Sequence, residues 1–371
     1  MGRFIAKHSP LFILAGLCIV LAFVSEDFRS IGNLQSLAQR TAFVGVIAIG
    51  ELAVILTAGI DLSVGSVAAL SGVIGCLSML KIEALAKGFL YTIIGVDIVG
   101  CDNVVMADKY SAFFYNFSFD YFAVILNYEV FVLFGILAGT CVGIFCGLIN
   151  GLLVSKGRIP PFIVTLGMMM LARGFTLLIS GGVSVFGLPD SFMWIGGSYM
   201  VSEDIFLFGG NNSWWLPALI MGGFATVFSI ILFFTRFGRS LYAVGGNSEA
   251  ARLSGIPVDR VRIMAFTMSG GAAGFAGMML ASYTSIAQPN AAEMYELYAI
   301  AACVIGGASL MGGEGGAFAT IAGALIMAAL YNFCTLQDIK PYWQQILVGA
   351  LLIILVYYDN HRKRKAGLLK N

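Results

Sequence analysis

Long apolar segments restrict the fold of this chain more than any other feature of its sequence. About 20 mostly apolar residues let a helix cross the hydrocarbon core of a bilayer, and the chain holds about ten such segments. Charged residues make up only 11% of it, against about 25% in a soluble domain. The sequence therefore predicts an all-α polytopic membrane protein with about ten transmembrane helices, surrounded by lipid. The candidate spans are 10–25, 41–57, 60–80, 130–154, 161–180, 215–235, 263–283, 296–312, 317–334 and 343–358.

The distribution of Lys and Arg predicts the orientation, because cytoplasmic loops are enriched in these residues. If the N-terminus is cytoplasmic, most of the 21 Lys and Arg residues lie in cytoplasmic segments, among them the basic run 362–365. We therefore expect both termini in the cytoplasm and an even number of crossings. The net charge is +1, which provides no large basic surface for nucleic acid.

Two features of the chain are unfavourable to catalysis. Its histidines, His8 and His361, lie near opposite ends, and none of its seven cysteines forms a Cys-x-x-Cys pair. We interpret the cysteines as small core residues rather than metal ligands. The chain also lacks a Gly-Lys dipeptide and so has no P-loop for nucleotide. We expect no catalytic residue and no metal site in this chain.

Glycines recur every fourth residue along the fourth candidate span. This spacing leaves one face of the helix without side chains and predicts a close approach to another helix. The glycines are Gly135, Gly139, Gly143, Gly147 and Gly151.

The segment 81–129 is predicted to form an extracytoplasmic insert. Asp97, Asp102, Asp108 and Asp120 interrupt its apolar stretches, so that neither stretch is a clear span. We expect helices that lie at the membrane interface or cap the bundle. Two further crossings remain the alternative.

The longest cytoplasmic loop, 236–262, contains a predicted short helix. Asn247 or Ser248 is a suitable N-cap, and the residues that follow are good helix formers. Gly255 can end the helix, with Pro257 just beyond. Such a helix is either a docking element or part of an ordinary connection.

Several stretches resemble the permeases of ribose- and galactose-type ABC importers, and the ribose permeases most of all. They run through nearly the whole chain in the family's order, whereas 81–129 looks longer than the corresponding connection. The stretches are LTAGIDLSVGSVAAL (56–70), KGRIPPFIVTLGMMMLARG (156–174), TRFGRSLYAVGGN (235–247), GGNSEAARLSGI (245–256), YELYAIAACVIGGASLMGGEG (295–315) and PYWQQILVGALLI (341–353).

This resemblance implies one permease domain over 1–371 with a fold like that of type II ABC importers. It implies a homodimer in the bacterial inner membrane, with the sugar pathway at the two-fold interface. A cytoplasmic ABC ATPase would bind ATP and Mg, and an extracytoplasmic sugar-binding protein would deliver the substrate. The short helix would couple to the ATPase through Asn247, Ser248, Glu249, Ala250, Ala251, Arg252, Leu253, Ser254 and Gly255.

Polar residues at membrane depth are costly and mark candidate pathway or gate positions. Asp61 is either a gate element or the N-cap of the third span. Arg173 must face protein or water. It either pairs with Glu51 or Asp61, contacts backbone carbonyls, or extends its guanidinium group to the membrane surface. Glu293 and Glu296 are either contacts for the binding protein or interfacial charges. A neutral sugar requires hydroxyl, amide and aromatic partners, and the remaining pathway candidates are Ser63, Asn150, Phe162, Thr165, Tyr331 and Asn332.

The alternatives lie mostly within the same importer class, with galactose, xylose, an autoinducer sugar or a nucleoside as the solute. An ion-coupled secondary transporter would need a buried carboxylate or histidine. Only Glu51 and Asp61 keep that interpretation open. A membrane-embedded enzyme would need a nucleophile, a metal site or an acid–base pair, and none is visible in the sequence.

Overall fold

The computed structural model of the protein describes residues 9–94, 128–197 and 215–365. In these ranges the chain is helical and forms no strand, apart from one antiparallel bridge between Val185 and Ala287. The helices are α1 (Ser9–Val24), α2 (Ile31–Leu56), α3 (Val64–Ile94), α4 (Tyr128–Ser155), α5 (Pro161–Ser180), α6 (Trp215–Phe234), α7 (Arg236–Gly246), α8 (Ser248–Leu253), α9 (Val258–Thr284), α10 (Tyr295–Ile305), α11 (Ala317–Leu336) and α12 (Pro341–Lys365).

The prediction of a polytopic α-helical membrane protein is confirmed, but the count of about ten crossings is not. Seven helices of the described chain are long and apolar enough to cross a membrane: α2, the part of α3 up to Ile82, α4 from Val130, α5, α6, α9 and α11. A full helical crossing over 296–312 is wrong, because α10 has 11 residues. At 1.5 Å per residue it is about 17 Å long, roughly half of the hydrocarbon core.

Helix α2 is the centre of the bundle. From Ala42 to Leu56 it is apolar on all sides except at Glu51, and every residue of that stretch is buried. A helix that is apolar all round is stable only when other helices surround it. Helices α6, α9, α10 and α11 pack around α2 and bury it.

The glycine face of α4 packs as predicted. Gly135 and Gly139 lie against backbone carbonyls of α3, at Gly75 and Ser71. Gly143, Gly147 and Gly151 lie against the backbone of α9. A Cβ atom at any of these positions would meet backbone, so the glycines permit a contact between helices that no other residue allows.

Part of the predicted insert continues a helix. Residues 81–94 extend α3 without a break to Ile94. The interfacial helices that we expected in the insert fall mainly on 95–127, which lie outside the described residues.

Two connecting segments, 57–63 and 285–294, fold back into the bundle and bring polar residues into its interior. After α2 ends at Leu56, the chain returns along the helix, so that the backbone N–H of Asp61 donates to Glu51 Oε1 at 2.9 Å. Helix α3 therefore begins beside the interior of α2. Residues 285–294 lead in the same way to the start of α10, where Glu296 packs against Gly65 of α3.

Candidate functional site

The short helix predicted in the segment 236–262 is present as α8. We call it the coupling helix, after the role that the sequence resemblance implies. Of the two N-cap candidates the structure uses Asn247, whose Oδ1 accepts the backbone N–H groups of Glu249 and Ala250, both at 3.0 Å. Gly255 follows the helix with φ +82°, and Ile256 N–H donates to the carbonyl of Ala251 at 3.0 Å. This is the hydrogen-bonding pattern that ends many helices at a glycine.

The coupling helix presents an apolar residue to its surroundings. The Leu253 side chain is 89% exposed, the highest value among the large apolar residues of the described chain. Ala251 is buried and anchors the helix to the rest of the protein. Arg252 lies 3.8 Å from Asp259, but both side chains are about half exposed, so this ion pair adds little stability. The helix is thus held at one face and open at the other.

Helix α7 leads into the coupling helix and contacts two links of the bundle. The Tyr242 hydroxyl donates to the carbonyl oxygen of Gly315 at 2.8 Å. Burial raises the pKa of the Tyr242 phenol, so the phenol is a neutral donor at physiological pH. Gly245 lies directly against Leu56 O and Gly313 N, and Gly313 N–H donates to Leu56 O at 3.1 Å.

We call this meeting point of Leu56, Tyr242, Gly245, Gly313 and Gly315 the cytoplasmic joint, after the side of the membrane on which the Lys and Arg distribution predicts it. It connects α7 to the end of α2 and to the link 306–316 between α10 and α11. Sequence reasoning missed the joint as a contact. The available signal was the pair of Gly-Gly dipeptides, 245–246 and 312–313, since glycine permits a close approach of backbone.

A buried polar cluster lies between α2, α4 and α9. We call Glu51, Asp61, Ser63, Asn150 and Ser269 the carboxyl cluster, and all five are at most 1% exposed. Asp61 Oδ1 accepts the backbone N–H of Ser63 at 3.0 Å and its hydroxyl at 2.6 Å. Ser269 Oγ donates to Asp61 Oδ2 at 3.2 Å, and Asn150 Nδ2 donates to Ser63 Oγ at 2.9 Å.

The structure therefore brings three predicted residues together, namely Asp61, Ser63 and Asn150. The carboxylate of Asp61 caps the turn just before α3. The sequence offered Glu51 as a partner for Arg173 and, with Asp61, as a carboxylate for ion coupling. Ser269 was missed because nothing in the apolar sequence of α9 singles out one serine.

Arg173 contacts backbone carbonyls, one of the alternatives that the sequence left open. Its Nη1 donates to Pro289 O at 2.6 Å and to Ala291 O at 3.1 Å. No hydrogen bond or ion pair joins it to Glu51 or Asp61. Arg173 thus ties α5 to the segment 285–294, whose backbone has no helical partners of its own.

Three other predicted pathway residues differ in exposure. The Thr165 hydroxyl donates to Pro161 O at 3.0 Å within α5, and Asn332 Nδ2 donates to Asn33 Oδ1 at 2.7 Å. The first hydrogen bond lies within one helix, and the second joins α11 to α2. Phe162, by contrast, is 56% exposed.

The two predicted contacts for a binding protein also separate. Glu293 is exposed and borders a cavity. Glu296 is partly buried against Gly65.

A cavity of about 460 Å³ lies between α2, α9, α10, α11 and α12. We call it the tyrosine cavity, because Tyr283, Tyr295, Tyr298 and Tyr331 line it. The ring centroids of Tyr295 and Tyr298 are 5.9 Å apart, and those of Tyr298 and Tyr331 are 6.1 Å apart. Arg40, Glu293 and Gln344 add polar groups to its wall. Aromatic faces with a few polar groups are typical of small-molecule sites.

The sequence is similar to known membrane transport proteins along nearly its whole length. The family described as "Branched-chain amino acid transport system / permease component" matches residues 33–356. The ribose import permease protein RbsC of Haemophilus influenzae is 34% identical over 97% of this chain and 95% of its own. The Escherichia coli K12 protein of the same name is 33% identical over 96% of this chain and 94% of its own.

A relative with another sugar in its name matches almost as well. The L-arabinose ABC transporter permease protein AraH of Azospirillum brasilense is 30% identical over 99% of this chain and 91% of its own. No solved structure matches the chain significantly.

Proposed function

The chain belongs to the family of branched-chain amino acid transport system permease components, and from this premise we propose that it is the permease subunit of an ATP-driven ABC importer for a monosaccharide. Ribose is the first candidate for the sugar. The observation that carries the proposal is the similarity to ribose import permeases over nearly the full length of both chains.

L-Arabinose is the second candidate substrate, because a permease named for it is 30% identical over 99% of this chain. Both sugars are uncharged pentoses. The tyrosine cavity supports a substrate of this class, since phenol hydroxyls and the Gln344 amide can exchange hydrogen bonds with sugar hydroxyls. Its volume of about 460 Å³ falls within the range of small-molecule pockets, about 300–1,000 Å³.

We propose that the coupling helix binds a separate ABC ATPase, which holds ATP and Mg and carries out the hydrolysis. The exposed Leu253 supports this, because an apolar side chain that its own chain leaves 89% exposed gains from burial in a partner's pocket. The Asn247 cap and the Gly255 terminus support it as well, because they define a short helix that does not need a partner to form.

The cytoplasmic joint provides a route for the ATPase movement into the membrane. Backbone meets backbone there, with no flexible side chain between Gly245, Leu56 and Gly313. A displacement of α7 would therefore move the end of α2 and the link 306–316 together. Since α10 begins at the tyrosine cavity, the same displacement would reach its wall.

We further propose a homodimer in the inner membrane, with both termini and the coupling helix in the cytoplasm and a sugar-binding protein on the opposite side. The Lys and Arg distribution supports this orientation. Phe162 on α5 is exposed and is a suitable position to test the dimer. A Phe162→Cys variant should form cross-linked dimers with a bifunctional thiol reagent if α5 faces a second copy.

The function is tested by reconstitution in lipid vesicles with the cognate ATPase and binding protein. We expect uptake of labelled ribose that requires ATP and continues when the proton gradient is collapsed. Uptake of L-arabinose in parallel distinguishes the two candidate sugars. Uptake that follows a proton gradient without the ATPase would contradict the proposal and favour a secondary carrier.

A further inference from the structure

The carboxyl cluster has an unbalanced charge. Glu51 and Asp61 are both fully buried, and Asp61 N–H donates directly to Glu51 Oε1 at 2.9 Å. In the described part of the chain, the two carboxyl groups interact with each other and with Ser63 and Ser269. Neither side chain forms an ion pair there. Two adjacent buried carboxylates without a cation are unstable, because burial and like-charge repulsion both oppose ionisation.

Two atoms of the cluster also lack a hydrogen-bond donor. Glu51 Oε2 and Asn150 Oδ1 are buried and have no hydrogen-bond partner among the residues that the structure describes. The orientation of the Asn150 amide follows from its neighbours, since Ser63 Oγ donates to Asp61 and must accept from Asn150 Nδ2. The oxygen Asn150 Oδ1 is therefore an acceptor inside the cluster that needs a donor. An acceptor-rich site of this kind favours a ligand that supplies a positive charge or a proton.

We propose that the carboxyl cluster is a proton-binding site that holds one proton on the Glu51 carboxyl group. The location of the proton follows from the unequal number of hydrogen-bond donors around the two carboxyl groups. Ser63 donates two hydrogen bonds to Asp61, from its N–H and its Oγ, whereas Asp61 N–H donates one to Glu51. The Ser269 hydroxyl lies 3.2 Å from Asp61 Oδ2 and also interacts with Glu51. Donors stabilise the charged form of a carboxylate, so Asp61 keeps the charge and Glu51 Oε2 carries the proton.

The surrounding helices provide no charge that would alter this assignment. Helix α4 contributes Asn150 and the Cys146 thiol, α9 contributes Ser269, and α10 contributes Cys303, whose Sγ donates to Ala48 O at 3.2 Å. Helices α6 and α11 contain no charged residue. On α7, which also contacts α2, Arg236 and Arg239 are exposed.

The proton has a structural consequence for the link 57–63. With Glu51 neutral, this link can remain folded back against α2, held by Asp61 N–H on Glu51 and by Ser269 on Asp61. With Glu51 charged, repulsion between the two carboxylates would push the link away from α2. The cluster lies about five residues from Leu56 and the cytoplasmic joint, or about 7.5 Å along the helix.

Infrared spectroscopy of the purified, full-length protein in detergent tests this directly, because a protonated carboxyl group has a carbonyl band that a carboxylate lacks. At neutral pH we expect this band in the wild type, its loss in Glu51→Gln, and its retention in Glu26→Gln. Glu26 is a matched control, since its side chain is 95% exposed. Absence of the band in the wild type, or its loss in Asp61→Asn with retention in Glu51→Gln, would overturn the assignment.

Thermal unfolding provides a second, independent measurement. A glutamate in an unfolded chain has a pKa of about 4.3, so above that pH folding of the wild type must take up a proton and its stability falls as pH rises. Glu51→Gln has no such proton, and we expect its unfolding temperature to change less between about pH 5 and about pH 8. Equal slopes would contradict the proposal. Stabilisation of the wild type but not of Glu51→Gln by Na⁺ or K⁺ would also overturn it, in favour of a metal cation. Neither measurement depends on which sugar is transported.

Discussion

The hydroxyl of Tyr242 on α7 donates a 2.8 Å hydrogen bond to the backbone carbonyl of Gly315, 73 residues further along the chain. This bond joins the helix that leads into the coupling helix to the link between α10 and α11. The ring of Tyr242 packs against the main hydrophobic core, which holds the hydroxyl in position. The cytoplasmic joint is therefore anchored by a side chain at one point and by backbone contacts at another.

Removal of the Tyr242 hydroxyl should weaken coupling. Tyr242→Phe retains the ring but leaves the Gly315 carbonyl without its donor, a loss of about 1 kcal/mol for a hydrogen bond of this kind. We expect fewer sugar molecules transported for each ATP hydrolysed in reconstituted vesicles. Ser240→Ala is the matched control on the same helix, because the Ser240 hydroxyl donates within that helix, to Arg236 O. An equal effect of both variants would contradict a specific role of the Tyr242 bond.

A methyl group at Gly245 should disrupt the joint. The Cβ of Gly245→Ala would meet Leu56 O and Gly313 N, which are backbone atoms and cannot move separately. We expect lower uptake with membrane insertion unchanged, measured in vesicles and by membrane fractionation. Gly246→Ala is the control, since a Cβ there has no neighbour within 4 Å. Normal uptake by Gly245→Ala would show that transport does not require the close backbone contact at the joint.

The sequence predicted those parts of the structure that depend on local spacing. The glycines of α4 recur every fourth residue, and the helix repeat alone puts them on one face. The Asn247 cap and the Gly255 terminus are equally local signals. These features could be read without knowing which elements are neighbours.

The parts that were missed depend on distant contacts. The apolar segment 296–312 looked like a complete span, but the chain leaves the helix at Gly306 and packs its glycines against α7 and α2. Ser269 and Asp61 meet across 208 residues of sequence, and Arg173 and Pro289 across 116. Hydropathy and spacing contain no information about such pairs, whereas the packing of α9 and α5 in the bundle determines them.

A charge at Leu253 should prevent docking of the ATPase. The side chain is 89% exposed and its helix is capped at both ends, so Leu253→Glu should fold normally but present a carboxylate to an apolar pocket. Loss of a buried apolar contact costs about 2 kcal/mol or more at the centre of an interface, which corresponds to at least a tenfold weaker association. Co-purification with the ATPase measures it. Leu253→Met, which remains apolar, should bind normally, and binding by Leu253→Glu would place the interface elsewhere.

Arg173 should be required for the position of the segment 285–294. Its two hydrogen bonds, to Pro289 O and Ala291 O, involve a charged donor, and such bonds contribute about 1.5–3 kcal/mol each. Arg173→Met leaves both carbonyls without this donor, whereas Arg173→Lys can still reach one of them. We expect unfolding temperatures in the order wild type, Arg173→Lys, Arg173→Met. Identical values for wild type and Arg173→Met would show that other donors hold the segment.

The tyrosine cavity should affect the transport rate rather than the selection of the sugar. Tyr331 is 39% exposed and its ring lies 6.1 Å from that of Tyr298. Tyr331→Ala removes an aromatic face against which a sugar ring can pack, whereas Tyr331→Phe keeps the face and removes the hydroxyl. We therefore expect the maximal uptake rate to decrease strongly in Tyr331→Ala and slightly in Tyr331→Phe. ATP hydrolysis stimulated by the loaded binding protein should persist in both, because the coupling helix is intact.

Tyr342→Ala serves as the control, since Tyr342 is 54% exposed and does not line the cavity. A decrease in ATP hydrolysis that matches the decrease in uptake would mean that Tyr331 acts on folding or coupling and not on the passage of the sugar.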